Sequence, residues 1–171
     1  MIERNHQQHF EPLLREHRRL IAKVASVYAR GSEDRRDLEQ EICVQLWRAF
    51  PAFDPARAKF STWLYRIALN VAISQVRRVA SRDDSRFEPL DVHHLETIGG
   101  DAAPEQDERL VALYAFIEEL DPLNRALILL YLEDRSYAEM ADVLGISETN
   151  VATKIGRIKQ KLRSQMAATE A

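Results

Sequence analysis

The chain has 171 residues, room for one or two small domains, with 46% hydrophobic and 30% charged residues and a formal net charge of −3. No apolar run reaches the ~20 residues that a membrane span needs, and Met1-Ile-Glu-Arg-Asn-His6 begins without the apolar stretch of a signal peptide. The single cysteine, Cys43, excludes an internal disulfide and a thiolate zinc cluster, so a reducing, cytoplasmic address without membrane insertion is expected.

The small net charge conceals an asymmetry. Residues 1–80 hold 14 Lys/Arg against 9 Asp/Glu, residues 81–107 hold 2 against 8, and residues 108–171 hold 8 against 10. Local basic faces joined by an acidic segment suggest a protein that touches DNA in two places.

Phe10, Leu13, Leu14, His17, Leu20, Ile21, Val24 and Tyr28 recur at helical spacing. Gly31-Ser-Glu-Asp34 reads as a break with N-cap candidates, and the next helix is predicted over about Asp37–Phe50. Its core stripe is Leu38, Ile42, Leu46, Ala49 and Phe50, while Asp37, Gln40, Glu41, Val44, Trp47 and Arg48 occupy the opposite arc. A solvated face would not favour Val44 and Trp47 among acids and an amide, whereas tryptophan flanked by charge is a common make-up for a protein interface. The alternative is that Trp47 folds back onto the core or a neighbouring helix. Cys43, at the edge of the core stripe, reads as a small buried apolar residue rather than a redox sensor.

Pro51-Ala-Phe-Asp-Pro55-Ala-Arg-Ala-Lys59 is predicted as a loop, its prolines stopping the helix. Ser61 or Thr62 can open the next helix, which is predicted to reach about Val79. This helix is apolar over most of its circumference, and only Trp63, Arg66, Asn70, Ser74 and Arg77 form a polar strip. Lys59 and Phe60 lie just upstream. Aromatics mixed with cations suit unpaired bases, because a ring stacks on a base at about 1–3 kcal/mol and cations hold the backbone. The alternative is that Phe60 and Trp63 are ordinary core.

Periodicity lapses over residues 81–106, which carry Pro89, Gly99, Gly100, Pro104 and most of the acidic excess, as a flexible linker would. Helical pattern resumes near Asp107 with Leu110, Leu113, Tyr114, Ile117 and Leu120. Asp121-Pro122 is an N-cap followed by proline at the first helical position, and Leu123, Leu127 and Leu130 continue the pattern.

Ser136 to Arg163 then reads as a helix-turn-helix. Ser136 and Glu139 have capping-box spacing, Gly145 can take the positive φ that ends the first helix, Ser147 can cap the second, and Ala141 is small enough to let the two cross closely. In the second helix Val151, Ile155, Ile158 and Leu162 make a core stripe. Thr149, Asn150, Thr153, Lys154 and Arg157 lie opposite, with donors and acceptors suited to a major groove. Between Thr149 and Gln165 stand five basic residues and no acid.

The expectation is an all-α chain of two small helical domains, residues 1–80 and 107–171, joined by a flexible acidic linker at 81–106. The five histidines are scattered, with His93-His94 in the linker, so neither a metal nor a cofactor is expected. No nucleophile–base pair or phosphate loop argues for an enzyme.

Asp37-Leu-Glu-Gln-Glu-Ile42, Leu46-Trp-Arg-Ala-Phe50, Phe53-Asp54 and Lys59-Phe-Ser-Thr-Trp-Leu-Tyr-Arg-Ile-Ala-Leu-Asn70 resemble region 2 of bacterial sigma factors. Residues from about Leu110 to Met166 resemble region 4. Region 2, a short linker and region 4, in that order, is the layout of the extracytoplasmic-function (group 4) sigma factors. The resemblance implies a protein that is no enzyme but binds core RNA polymerase, at the β′ clamp helices and the β subunit, and directs it to promoter DNA. It assigns polymerase docking to Asp37, Gln40, Glu41, Val44 and Trp47. Capture of unstacked −10 bases falls to Lys59, Phe60, Trp63, Arg66, Asn70 and Arg77, which would help open the duplex. Reading of the −35 element falls to Thr149, Asn150, Thr153, Lys154 and Arg157. It also implies control by an anti-sigma factor, and a linker that threads into the polymerase. Ala152 stands where many relatives have Lys or Arg, and Gly156 where many have a larger residue. A free-standing helix-turn-helix regulator is the competing reading, but it has no use for the block Asp37–Trp47.

Overall fold

The computed structural model describes residues 2–82 and 108–170, and every regular element among them is helical. The linker expected at 81–106 therefore falls almost wholly outside the described residues. The chain divides into two compact units, Met1–Pro89 and Leu90–Ala171.

In the first unit, α1 (Ile2–Glu16) and α2 (Arg18–Tyr28) replace the one continuous helical run that the spacing allowed. The break is at His17, whose backbone leaves the helical region (φ −105°, ψ 11°) and whose ring Nδ1 lies 2.8 Å from the Leu13 carbonyl oxygen. A carbonyl only accepts, so this nitrogen carries the proton. Helix α3 (Ser32–Ala49) starts five residues before the predicted Asp37. The residues read as a break, Glu33 and Asp34, are its first-turn acids, where a carboxylate meets the positive end of the helix dipole. A 3-10 turn, Phe50–Ala52, follows, and α4 spans Phe60–Arg82. Neither Ser61 nor Thr62 opens α4, because both lie inside it and Thr62 is buried.

Helices α2, α3 and α4 pack on one another. Ile21 and Val24, then Leu38, Ile42 and Leu46, then Leu64, Ala68, Leu69 and Ala72 are nearly solvent-free. Leu38, Ile42 and Leu46 of the predicted stripe are thus core, whereas Ala49 is half-buried and Phe50, also half-buried, belongs to the 3-10 turn. Truncating Leu38, Ile42 or Leu46 to alanine costs about 2–5 kcal/mol. Cys43 is half-buried, and burial, then the Glu39 carboxylate, raises its thiol pKa, which suits a packing residue and not a nucleophile.

The second unit comprises α5 (Glu108–Glu119), α6 (Pro122–Leu132), α7 (Tyr137–Leu144) and α8 (Glu148–Glu170). Five consecutive α6 residues, Ala126 to Leu130, are buried, so α6 is covered all round and serves as the unit's centre. Its start is as predicted: Asp121 Oδ1 accepts from Asn124 N–H at 2.8 Å, with Pro122 at the first helical position. Arg125 reaches back to α5 and donates from Nε to the Leu120 carbonyl (2.9 Å) and from Nη2 to that of Glu118 (2.8 Å). One cation thereby satisfies two acceptors at or beside a helix C-terminus, where the dipole also favours it.

Candidate nucleic-acid and protein interfaces

The helix-turn-helix is built from local chemistry. Ser136 Oγ accepts from Glu139 N–H at 3.1 Å, and Ser147 Oγ accepts from Asn150 N–H at the same distance. The Glu139 carboxylate faces Arg135 at 3.5 Å, so the backbone half of the capping box is present while the acid is drawn to a guanidinium. Gly145 ends α7 at φ 68°, and both its N–H and that of Ile146 reach the Ala141 carbonyl. Val151, Ile155 and Ile158 are buried, which fixes the rotation of α8 about its axis. Thr149, Asn150, Thr153 and Arg157 are consequently exposed and Lys154 half-exposed, all on the side away from the core. Thr153 Oγ1 donates to the Thr149 carbonyl at 3.0 Å, leaving the Thr153 methyl and oxygen lone pairs to face outward.

On α3 of the first unit, Asp37, Gln40, Glu41, Val44, Trp47 and Arg48 are all exposed and span an arc of about 120° at 100° per residue. Trp47 combines both sequence readings: its ring packs edge-on against Phe10 of α1 (centroids 5.3 Å apart), yet it remains 41% exposed. Val44 beside it is 38% exposed. Asp37 and Glu41 also edge a polar groove of about 390 Å³ shared with Gln75 and Arg78 of α4.

The start of α4 is organised by an aromatic cluster. Phe53 lies 5.5 Å from Phe60 and 5.0 Å from Trp63, and Phe50 stacks on Phe53 at 6.0 Å. Such pairs contribute about 0.5–1.5 kcal/mol each beyond the area they bury. They pull the segment after the 3-10 turn onto the helix. Asp54 shapes that segment further by accepting from Ala56 N–H at 2.9 Å. Phe60 is buried, its ring also against His17 at 4.9 Å, whereas Trp63 stays half-exposed. Lys59, Asn70 and Arg77 are exposed and Arg66 half-exposed, so the polar strip is continuous along α4.

One feature gave no signal in the sequence. A groove of about 550 Å³ opens between α1 and the segment leading into α4, with His6, His9, Phe53, Lys59 and Phe60 among its walls. The periodicity of α1 marks its core positions but says nothing of what His6 and His9 face. Among the described residues no three His, Cys, Asp or Glu gather as a metal site, and no helix is long and apolar enough to cross a membrane.

Comparisons with known proteins identify the family of the two units. The description "Sigma-70 region 2" matches residues 13–82, and "Sigma-70, region 4" matches residues 110–162. The ECF RNA polymerase sigma factor SigE of Mycolicibacterium smegmatis is 32% identical over 163 residues, covering 92% of this chain and 62% of its own. The RNA polymerase sigma factor CnrH of Cupriavidus metallidurans is 32% identical over 173 residues, covering 95% and 88%. The structure of CnrH in complex with the cytosolic domain of CnrY superposes with a TM-score of 0.68 at 28% identity, over 95% of this chain and 90% of that one. The chain belongs to the sigma-70 family of RNA polymerase sigma factors, in its extracytoplasmic-function branch, a family of transcription initiation factors and not of enzymes.

Proposed function

We propose that this chain acts in the cytoplasm as the promoter-specificity subunit of RNA polymerase, with no catalytic activity of its own. The observation that carries the proposal is the exposed arc of α3, where Val44 and Trp47 stand in water among acids on an otherwise well-packed unit. A DNA-binding domain alone gives no reason for such an arc, while a docking helix does. Asp37, Gln40, Glu41, Val44 and Trp47 bind the β′ clamp helices, and the chain also meets the β subunit.

Lys59, Trp63, Arg66, Asn70 and Arg77 form the −10 face. Trp63 offers its ring to an unstacked base, the cations hold the strand, and Phe60 supports Trp63 from beneath. The neighbouring groove is large enough for an extruded base, and binding only the extruded form drives melting. Thr149, Asn150, Thr153, Lys154 and Arg157 read the −35 duplex in the major groove. The functional division is residues 1–80, a linker at 81–106, and residues 107–171. The solved complexes of CnrH with the cytosolic domain of CnrY and of the sigma factor RpoE of Bartonella quintana with the anti-sigma factor NepR support control of this chain by an anti-sigma factor.

The test is transcription from a genomic fragment library by core polymerase with and without the purified chain. Promoter-dependent transcripts are expected only when both are present. Their absence, or tight sequence-specific duplex binding by the chain alone, would favour a free-standing regulator.

A further inference from the structure

The described glycines differ in what the fold asks of them. Gly145 has a positive φ that an L side chain rarely adopts. Gly156 has no such φ, and a Cβ built on it meets nothing within 4 Å. It lies in the middle of α8, exposed, where glycine is the poorest helix former after proline. Neither backbone geometry nor packing within the unit accounts for it.

Its position on the helix supplies a reason. Seven residues after Thr149 it falls within about 20° of that residue, and it immediately precedes Arg157. It therefore lies at the Thr149 edge of the assigned face, about 60° from Thr153 and about 100° from Arg157, where the helix would meet a wall of the groove and not its floor. An α-helix with its side chains, about 10–12 Å across, nearly fills a major groove about 12 Å wide. Omitting a side chain lets the helix backbone approach a groove wall by about one carbon–carbon bond length, ~1.5 Å.

We propose that Gly156 is the point of closest approach between α8 and the −35 DNA, a positioning residue whose missing side chain sets how deeply Thr149, Thr153 and Arg157 enter the groove. This rests on the −35 assignment above. The helix is weakened at this point in the free protein, and the close contact exists only on DNA.

The experiment uses the full chain with core polymerase and a duplex selected from a randomised library by the wild-type holoenzyme. Gly156→Ala, Gly156→Leu and Arg157→Ala are each measured for duplex affinity, and each free chain for its unfolding midpoint. Gly156→Ala is expected to unfold at a higher temperature than wild type and yet bind at least roughly fivefold more weakly, the lower end of what an overpacked contact costs. Gly156→Leu should bind more weakly still. Wild-type affinity for Gly156→Ala alongside weakened Arg157→Ala would overturn this inference alone. Unchanged binding by Arg157→Ala and both Gly156 variants would overturn the −35 face and the inference with it. A lowered unfolding midpoint for Gly156→Ala would also overturn the inference, because the glycine would then serve the fold.

Discussion

The Lys159 ammonium sits over the face of Tyr131, with Nζ 4.4 Å from the ring centroid. Tyr131 belongs to α6 and Lys159 to α8, so this contact ties α8 to the centre of its unit. Of the five basic residues in the acid-free stretch, Lys159 is thus engaged by the fold itself. At 100° per residue it lies roughly 80° around the helix from Thr149 and farther from Arg157, off the face assigned to DNA.

A hydrogen bond to Tyr131 raises the Lys159 pKa above its ordinary 10.5. The folded state thus binds this proton more tightly than the unfolded chain does. The resulting stabilisation is present below the ordinary value and is lost as pH rises through the raised one. Lys159→Met is therefore expected to unfold at a lower urea concentration than wild type at pH 8, with the gap closing at pH values above the raised pKa. A gap that stayed constant across this range would show that the lost contact is apolar packing by the lysine stem.

Two left-handed residues give opposite expectations. Asp134 follows α6 at φ 58°, while Arg135 N–H reaches back to the Leu130 carbonyl at 3.0 Å, a C-terminal cap with aspartate where glycine is usual. Asp134→Gly should stabilise the region 4 unit by up to about 1 kcal/mol, since glycine adopts this conformation without a Cβ penalty. Gly145→Ala should destabilise by about 1–2 kcal/mol although there is space for the methyl group, because the penalty is conformational. Thermal unfolding of the two variants checks both signs, and equal shifts in one direction would refute the account.

The contrast between these two positions also explains how much of the structure was legible in the sequence. Gly145, Ser136, Ser147 and Asp121 act on backbone groups within five residues of themselves, so spacing alone located them. Most of the core stripes of α3 and α8 was readable for the same reason, since helical periodicity is a local property, although Ala49, Phe50 and Leu162 at the stripes' C-terminal ends are only half-buried. The break at His17 and the capping of α5 by Arg125 depend on what lies around them, and no residue type announced them, whereas the N-cap candidates at Gly31-Ser-Glu-Asp34 did mark where α3 starts. The candidate faces were legible as residue patterns, but their ring contacts were not. Phe60 and Trp63 look alike in sequence, and only the placement of Phe53 and His17 shows that one is buried and the other half-open.

The α3 arc separates binding from folding. Asp37 and Gln40 are exposed, so Asp37→Ala with Gln40→Ala should leave the unfolding midpoint unchanged while weakening association with core polymerase. Trp47→Ala should affect both properties. As a half-exposed aromatic on an interface it is expected to cost about 2 kcal/mol or more in polymerase affinity. Losing its edge contact with Phe10 should cost about 0.5–1.5 kcal/mol of stability. Full polymerase affinity in the double variant, measured by titration of labelled core enzyme, would remove α3 from the docking surface.

Phe60 and Trp63, whose ring centroids are 5.4 Å apart, should fail in different ways when truncated. Phe60 is 8% exposed, so Phe60→Ala opens a cavity and should destabilise the first unit by about 3–5 kcal/mol. Its loss of −10 binding should then follow the fraction unfolded and recover on cooling. Trp63 is half-exposed, and its truncation should remove about 1–3 kcal/mol of stacking on an unpaired base even where the protein is fully folded. Trp63→Phe should restore most of that stacking, because the requirement is for a π face and not for the indole N–H. The measurement is holoenzyme binding to single-stranded −10 DNA at two temperatures below the wild-type unfolding transition, the higher of them within that of Phe60→Ala. If Trp63→Ala bound that strand as tightly as wild type, the exposed ring would be no stacking platform, and the −10 face would have to rest on its cations alone.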